Sequence, residues 1–374
     1  MNAEHIERIK RLRSRAIEPV ISFEKFNLDF FRRYSQNADL GDYQLRYADA
    51  FAYALSNAAP VIDGDELIVG KSNIRLSEAE QPEWWQLEES VAKKAVVCAG
   101  QDSHMAIDYE KVLALGINGI IAEINGYKKT AAQEQTVFYD ACLTCLDAVK
   151  TFAEKYSSHA KTLAQTCGDE KRKQELYKIS EICAHVPANP ARSFYEAVQS
   201  VHFITFCLTI SPFRYYAAQQ FQLGHPDRYL YPYYEKDITD GTLTPEYAQL
   251  LMDCLGIQIN HRVPRGLSSG YMVGGRDRDG NIVANELTKI CMQVVDDIRL
   301  VYPSVGLCVS GDTPDEYVSY ACNILSHGRS HPALFNDDII TAGLRDYGVS
   351  EPESHEYIHS TCVEITPVGA SNVW

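Results

Sequence analysis

The stretch LVYPSVGLCVS, residues 300–310, gathers apolar and β-branched side chains into a short run interrupted only by Pro303, Ser304 and Gly306. A run of that length and composition reads as a buried strand. A helix is signalled directly after it: Thr313 and Glu316 form a capping-box pair, Pro314 sits in the first turn and Gly328 closes the element. Within that helix Tyr317, Ala321, Ile324 and Leu325 share one face, the face expected to be buried. Upstream, GYMVGG (270–275) reads as an equivalent strand and GGRDRDGN (274–281) as the turn after it, leading to a helix that starts near Asn285. That turn lacks the glycine spacing of a dinucleotide or phosphate loop. Downstream, a further helix starts at Ser350 with Glu353 as its box partner and delivers the chain to Cys362. From about residue 187 onward, then, helices alternate with short strands, which is α/β texture.

Residues up to about 180 are different. IERIKRLRSRAI, YQLRYADAFAYALSNA, DYEKVLALGINGIIAEI and QTVFYDACLTCLDAVKTFAEKY all repeat apolar residues at three- and four-residue spacing, the period of amphipathic helices. DELIVGK (65–71), bounded by Gly64 and Asp65, is expected to be a lone strand, and CGDEKRKQE (167–175) a turn and the best candidate for a subdomain boundary. No internal repeat or low-complexity tract is present.

The chain has 374 residues, 45% of them hydrophobic, enough for one large or two ordinary cores. A formal charge of −15 repels nucleic-acid phosphate and anionic lipid. The expected partner is therefore a small molecule or a protein, with no nucleic acid and no membrane. The eleven cysteines are scattered, the N-terminus MNAEHIERIKRLRSRA is no signal peptide, and VHFITFCLTISPF (201–213) is shorter than a membrane span. Reduced thiols and a cytoplasmic location follow as expectations.

The chemistry centres on HSTCVEITPVG (359–369). If 361–366 is extended, side chains two apart point the same way, so the thiol of Cys362 and the carboxylate of Glu364 share one cavity. The plainer alternative is a structural cysteine beside a surface acid. A rival lies upstream: HEYIH (355–359) matches a zinc-peptidase pattern, with His355 and His359 on one helical face and Glu356 as base, although only Glu364 follows as a further acidic ligand. His327 and His331 share that spacing, but Gly328 falls between them, so they read as turn and pocket-edge residues. Cys142 and Cys145 form a Cys-x-x-Cys pattern on a helix and read as half-buried core thiols.

Taken together, ARSFYEAVQSVHF (191–203), GHPDRYLYPYYEKDITDGTLTPEYA (224–248), MVGGRDRDGNIVANELT (272–288), HPALFNDDII (331–340) and STCVE (360–364) resemble, in order and spacing, the pyruvate formate-lyase-like domain of glycyl radical enzymes. APVIDGDELIVGKSN (59–73) and HMAIDYEKVLALGINGI (104–120) extend the resemblance over nearly the whole chain. It implies an α/β fold, the N-terminal half of a ten-stranded barrel, that is a five-stranded half-barrel wrapped by helices, after a largely helical region over 1–180. The catalytic cysteine would sit on a loop inside, and Cys362 is the matching residue. The resemblance further implies a glycyl radical installed by an S-adenosylmethionine-dependent, iron–sulfur activase and passed to that cysteine, whose thiyl abstracts hydrogen from the substrate in a water-excluding site. Glu364 would be the base of an eliminating enzyme cleaving C–O, C–N or C–S bonds. Pyruvate formate-lyases proper resemble one another in having two adjacent cysteines, whereas here Thr361 precedes Cys362. Decarboxylases of the family share the Cys-Val-Glu pair. By the same resemblance His104, Ser211 and Tyr271 contact substrate; the plainer reading of each is a satisfied polar residue or core aromatic.

The chain also departs from that pattern. Ile365 follows Glu364 where many eliminases have Pro, and no glycyl loop follows the cysteine; Ser269-Gly270-Tyr271 precedes it and lacks the flanking residues. The expectation is a fragment, a split-gene subunit or a truncated reading frame that needs a complementary C-terminal half or a homodimer, since half a barrel exposes sheet edges and a core face. The alternatives are a related acyltransferase or decarboxylase, a zinc hydrolase through HEYIH, and a non-catalytic assembly partner.

Overall fold

The computed structural model describes residues 3–17, 24–71, 76–92, 105–209, 221–262, 269–359 and 364–369. The helical N-terminal region comprises α1 (Ala3–Ala16), α2 (Glu24–Gln36), α3 (Tyr43–Asn57), α4 (Gln81–Leu87), α5 (Tyr109–Lys128), α6 (Gln133–Thr166) and α7 (Glu170–His185). Next come α8 (Phe194–Thr209), α9 (Pro226–Tyr229), α10 (Tyr231–Thr239) and α11 (Pro245–Arg262). Residues 167–175 contain the bend of a helical hairpin in which Asp169 caps α7 by accepting the Arg172 N–H. The periodic run 108–124 is interrupted at Gly116 (φ 61°, ψ 172°), where a Cβ would lie 2.4 Å from the Asn189 carbonyl carbon. The N–H groups of Ile117 and Asn118 turn instead to Pro187 O and Ala188 O.

The second half delivers the α/β pattern. β1 (Gly270–Gly274), α12 (Glu286–Ile298), β2 (Ser304–Val309), α13 (Asp315–Ser326), β3 (Ala333–Asn336) and α14 (Asp337–Asp346) follow in order, and the three strands form a parallel sheet β1-β2-β3. Parallel neighbours need a long crossover, here the helices α12 and α13. The row continues beyond β1 through short extended pieces: Leu223 N–H donates to Gly270 O (2.8 Å), Met272 N–H to Gly224 O (2.9 Å), and Phe221 bridges Met105 in parallel. Five extended segments thus stand side by side, the curved wall of a partial α/β barrel. The capping box expected at Thr313 is not formed. Pro314 is the N-cap, Thr313 Oγ1 accepts the Ser310 N–H, and Glu316 pairs with Lys289.

α8 joins the two regions. From Phe194 to Cys207 every residue is buried; its first half packs into the sheet-side core with Leu251, Val273 and Leu307, and its second half into the helical core with Phe30, Leu55 and Phe152. Among the described residues no helix is long and apolar enough to cross a membrane.

The expected strand DELIVGK is not a strand. Leu67, Ile68 and Val69 are buried, yet among the described residues no strand pairs with them. Helix side chains do the pairing: Gln199 accepts the Val69 N–H and donates back to Val69 O, Tyr195 donates to Leu67 O, Gln258 to Ile68 O, and His202 Nε2 meets Gly70 O. Buried backbone groups must be satisfied, and polar residues on α8 and α11 take the role of the missing strand. Replacing Gln199 by Leu leaves both Val69 groups unpaired. We expect it to destabilise the chain by about 2–4 kcal/mol, read as a lowered urea midpoint; an unchanged midpoint would contradict this assignment.

Candidate functional site

After α14 the chain makes one short helical turn, α15 (Glu351–Ser354), and enters an antiparallel hairpin of β4 (Tyr357–His359) and β5 (Ile365–Pro367), with His359 opposite Ile365. The expected helix from Ser350 is confined to that turn, where Ser350 Oγ donates to Glu353. Cys362 belongs to the segment joining β4 to β5. Cys362, His104 and Ser211 lie outside the described residues, and Glu364 is half-buried immediately before β5.

The hairpin lies on one face of the parallel sheet, and strand alternation determines which residues carry it. Met272 and Gly306 are register partners. His359 N–H donates to Met272 Sδ (3.0 Å), and the His359 ring stacks on Phe335 of β3 at 5.0 Å and 15°. Gly306 makes room for both, since a Cβ there would sit 2.8 Å from the Phe335 ring and 3.1 Å from the His359 ring. Odd-numbered residues of β1 face the other way. Tyr271 is fully buried and its hydroxyl donates to Cys291 O on α12 (2.8 Å), so the structure assigns it to the sheet–helix core and does not bring it to Glu364.

A polar frame holds the hairpin base at the C-terminal ends of the strands, the end where α/β folds place their sites. Tyr357 donates its hydroxyl to Asp337 Oδ1 (2.9 Å), and Asp337, fully buried at the start of α14, also receives Arg276. His225 is driven towards its neutral form by burial. Its Nε2 therefore carries the proton donated to Tyr357 O (2.5 Å). Asp227 accepts the Gly274 N–H (2.7 Å) and the Thr288 hydroxyl (2.8 Å) through Oδ2, while its buried Oδ1 has no hydrogen-bond partner among the described residues. Burial pushes its carboxyl up to about 6 despite the neighbouring Arg228. None of these frame residues was singled out from sequence; the one available signal was the pair of adjacent charges in GHPDR within an otherwise aromatic stretch.

The zinc reading is overturned. HEYIH is not helical: His355 follows the end of α15, His359 is in β4, and Glu356 is engaged by Arg228 (3.1 Å). The spacing i, i+4 therefore places the two imidazoles on no common helical face, and among the described residues no group of three His, Cys, Asp or Glu is arranged to hold a metal ion. Cys142 and Cys145 sit half-buried on α6 with their thiols pushed up by burial, Cys145 to about 12, which disfavours the thiolate. His327 pairs with Asp296 (3.0 Å) at the end of α13, and His331 borders a cavity of about 680 Å³ below the sheet.

A family model described as pyruvate formate lyase-like matches residues 77–374. Isethionate sulfite-lyase of Bilophila wadsworthia is 30% identical over 280 residues, 69% of this chain and 33% of that enzyme. (2S)-3-sulfopropanediol dehydratase of Klebsiella oxytoca is 27% identical over 290 residues, 72% of this chain and 35% of that enzyme. The chain thus spans about a third of the length of these curated relatives. Among solved structures, one on 1,2-propanediol dehydration in Roseburia inulinivorans superposes with a TM-score of 0.85 at 26% identity, covering 97% of this chain and 54% of that one. Hydroxyproline dehydratase of Clostridioides difficile, at 22% identity and a TM-score of 0.83, shares the fold.

The elevated Asp227 carboxyl has a signed consequence. Between about pH 4 and 6 the folded chain retains a proton that the unfolded chain releases, so this group's contribution to stability falls as pH rises through that window. Asp227→Asn removes the titration while leaving an oxygen for Gly274 and Thr288. We expect it to gain on the wild type by about 1–3 kcal/mol between pH 4 and pH 7, measured by urea unfolding at both values; a pH-independent difference would contradict the assignment.

Proposed function

The chain belongs to the pyruvate formate lyase-like family, and from that premise we propose that it is the part of a glycyl radical lyase that carries the hydrogen-abstracting cysteine, Cys362, and the base, Glu364. The observation that supports this best is the hairpin laid on the inner face of a partial barrel, with the Cys-Val-Glu segment joining β4 to β5. A glycyl radical, installed by a radical S-adenosylmethionine activase, supplies the unpaired electron. With its thiol hydrogen given up to that radical, Cys362 would be a thiyl that takes a hydrogen atom from a substrate carbon that bears a hydroxyl, leaving the unpaired electron on that carbon. Glu364 takes the hydroxyl proton, the neighbouring C–O, C–N or C–S bond breaks with departure of the leaving group, and Cys362 returns the hydrogen atom to the product. Met272, which accepts the His359 N–H, and Phe335, stacked on the His359 ring, give this face of the site an apolar wall, the kind of surface such chemistry needs.

Small polar substrates with adjacent hydroxyl and leaving groups fit this scheme. The names of the relatives supply the panel: isethionate, sulfopropanediol, 1,2-propanediol, glycerol and trans-4-hydroxyproline. The proposed partners are an activase and the portion of the fold that relatives carry beyond the matched segment, on this polypeptide or another. The test is anaerobic activation of the chain together with the glycyl-bearing portion of a relative, followed by electron paramagnetic resonance and turnover of the panel. We expect a glycyl doublet, turnover of one member, loss of that turnover in Cys362→Ala, and a fall of about 10²–10⁴-fold in Glu364→Gln. Turnover that survives Cys362→Ala would remove the proposal.

A further inference from the structure

We propose that Arg228 is a positioning residue that fixes the hairpin carrying Cys362, with Glu356 as its counter-ion. The proposal builds on the reading of Cys362 given above for its functional meaning, while the clamp itself is a matter of geometry.

Arg228 Nη1 donates to His355 O (2.9 Å) and to Glu356 Oε1 (3.1 Å), and Nη2 donates to Gly274 O (2.9 Å). One guanidinium therefore joins the last residue of β1 to the two residues immediately before β4. The Arg228 side chain is 10% exposed and that of Glu356 17%, so the pair is largely withdrawn from water and costly to break on one side. Glu356 also closes the hairpin, because its backbone oxygen accepts the Val368 N–H (2.7 Å) just after β5. The other cation near Glu356, Arg278, is 57% exposed and stands 4.0 Å away.

The neighbours of Arg228 make the clamp rigid. Asp227 holds the N–H of Gly274 while Arg228 holds its carbonyl, so the end of β1 is gripped on both sides. Gly274 has φ 73°, and a Cβ there would lie 2.9 Å from Cys308 O, which leaves the strand end little freedom of its own. A planar fork reaching three oxygens in different directions is a geometry that Arg provides and Lys does not. Because β4 and β5 both leave from this base, its loss is transmitted to the joining segment, where small misplacements are expensive for hydrogen transfer.

The test reads Cys362 directly. Alkylation by iodoacetamide is followed by peptide-mapped mass spectrometry across a pH series, with exposed Cys322 and buried Cys291 as internal references. In Arg228→Met we expect the plateau rate at Cys362 to rise about tenfold while Cys291 stays protected and the midpoint pH of Cys362 is unchanged. Arg228→Lys should give a smaller rise, and Glu356→Gln, which keeps an acceptor oxygen, a rise of about two- to threefold. Should Arg228→Met fail to fold, the Glu356→Gln comparison carries the test alone. An unchanged Cys362 rate, or Cys291 becoming labelled in parallel, would overturn the clamp. A positive result here alongside an inactive complemented enzyme would keep the clamp and remove the radical reading.

Discussion

The structure depends on a hairpin held flat against the face of a parallel sheet. Parallel strands pair only edge to edge and leave both faces to be covered. Helix α12 covers one face, receiving Tyr271 through Cys291 O, and the β4–β5 hairpin occupies the other through Met272 and Phe335. The close approach is possible because β2 presents Gly306 rather than a side chain at the crossing point. The shape of the site follows from that contact: which strand residues face the hairpin, and why its base lies at the strand ends.

The same logic appears at the other end of the molecule with different means. Residues 66–71 run buried with no partner strand among the described residues, so Gln199, Gln258, Tyr195 and His202 reach from α8 and α11 to satisfy their backbone. Nearby, buried Lys71 pairs with Glu66, and Tyr156 accepts the Lys71 N–H. Polar side chains on otherwise apolar helices thus act as substitutes for a sheet edge. In both regions a buried polar group is explained by an unpaired backbone group or charge that it serves, which is what the cost of leaving such groups unsatisfied demands.

Much of this was legible in sequence, and the misses have identifiable causes. The strands at 270–274 and 304–309, the Asn285 cap and the glycine closing α13 rest on local propensity, which the tertiary structure respects. The apolar run DELIVGK carried a strand signal without a strand, because hydrophobic alternation reports burial and says nothing about what the backbone bonds to. HEYIH carried a metal signal because its spacing implies a helix, but α15 ends at Ser354, before the first histidine, and the chain is in β4 by the second. Tyr271 was placed by its strand but not by its face, and a shift of one residue in a strand reverses which side a side chain occupies. The frame of His225, Asp227, Arg228 and Asp337 left little trace in sequence because its members act across long sequence separations, the first three on backbone groups and Asp337 on the Tyr357 hydroxyl, which no local pattern records.

The central claim is that the residues on either side of the Cys362 segment form a hairpin fixed to the sheet, and amide hydrogen exchange over residues 355–359 and 365–369 tests it most directly. Val368 N–H bonds to Glu356 O and Gly369 N–H to Ala106 O, and β4 is buried throughout. The account predicts that these amides exchange as slowly as those of Val273 and Leu307 in the sheet, within the same cooperative unit. Exchange at the rate of an exposed loop, with β1 and β2 still protected, would show that the hairpin does not rest on the sheet and would contradict the account.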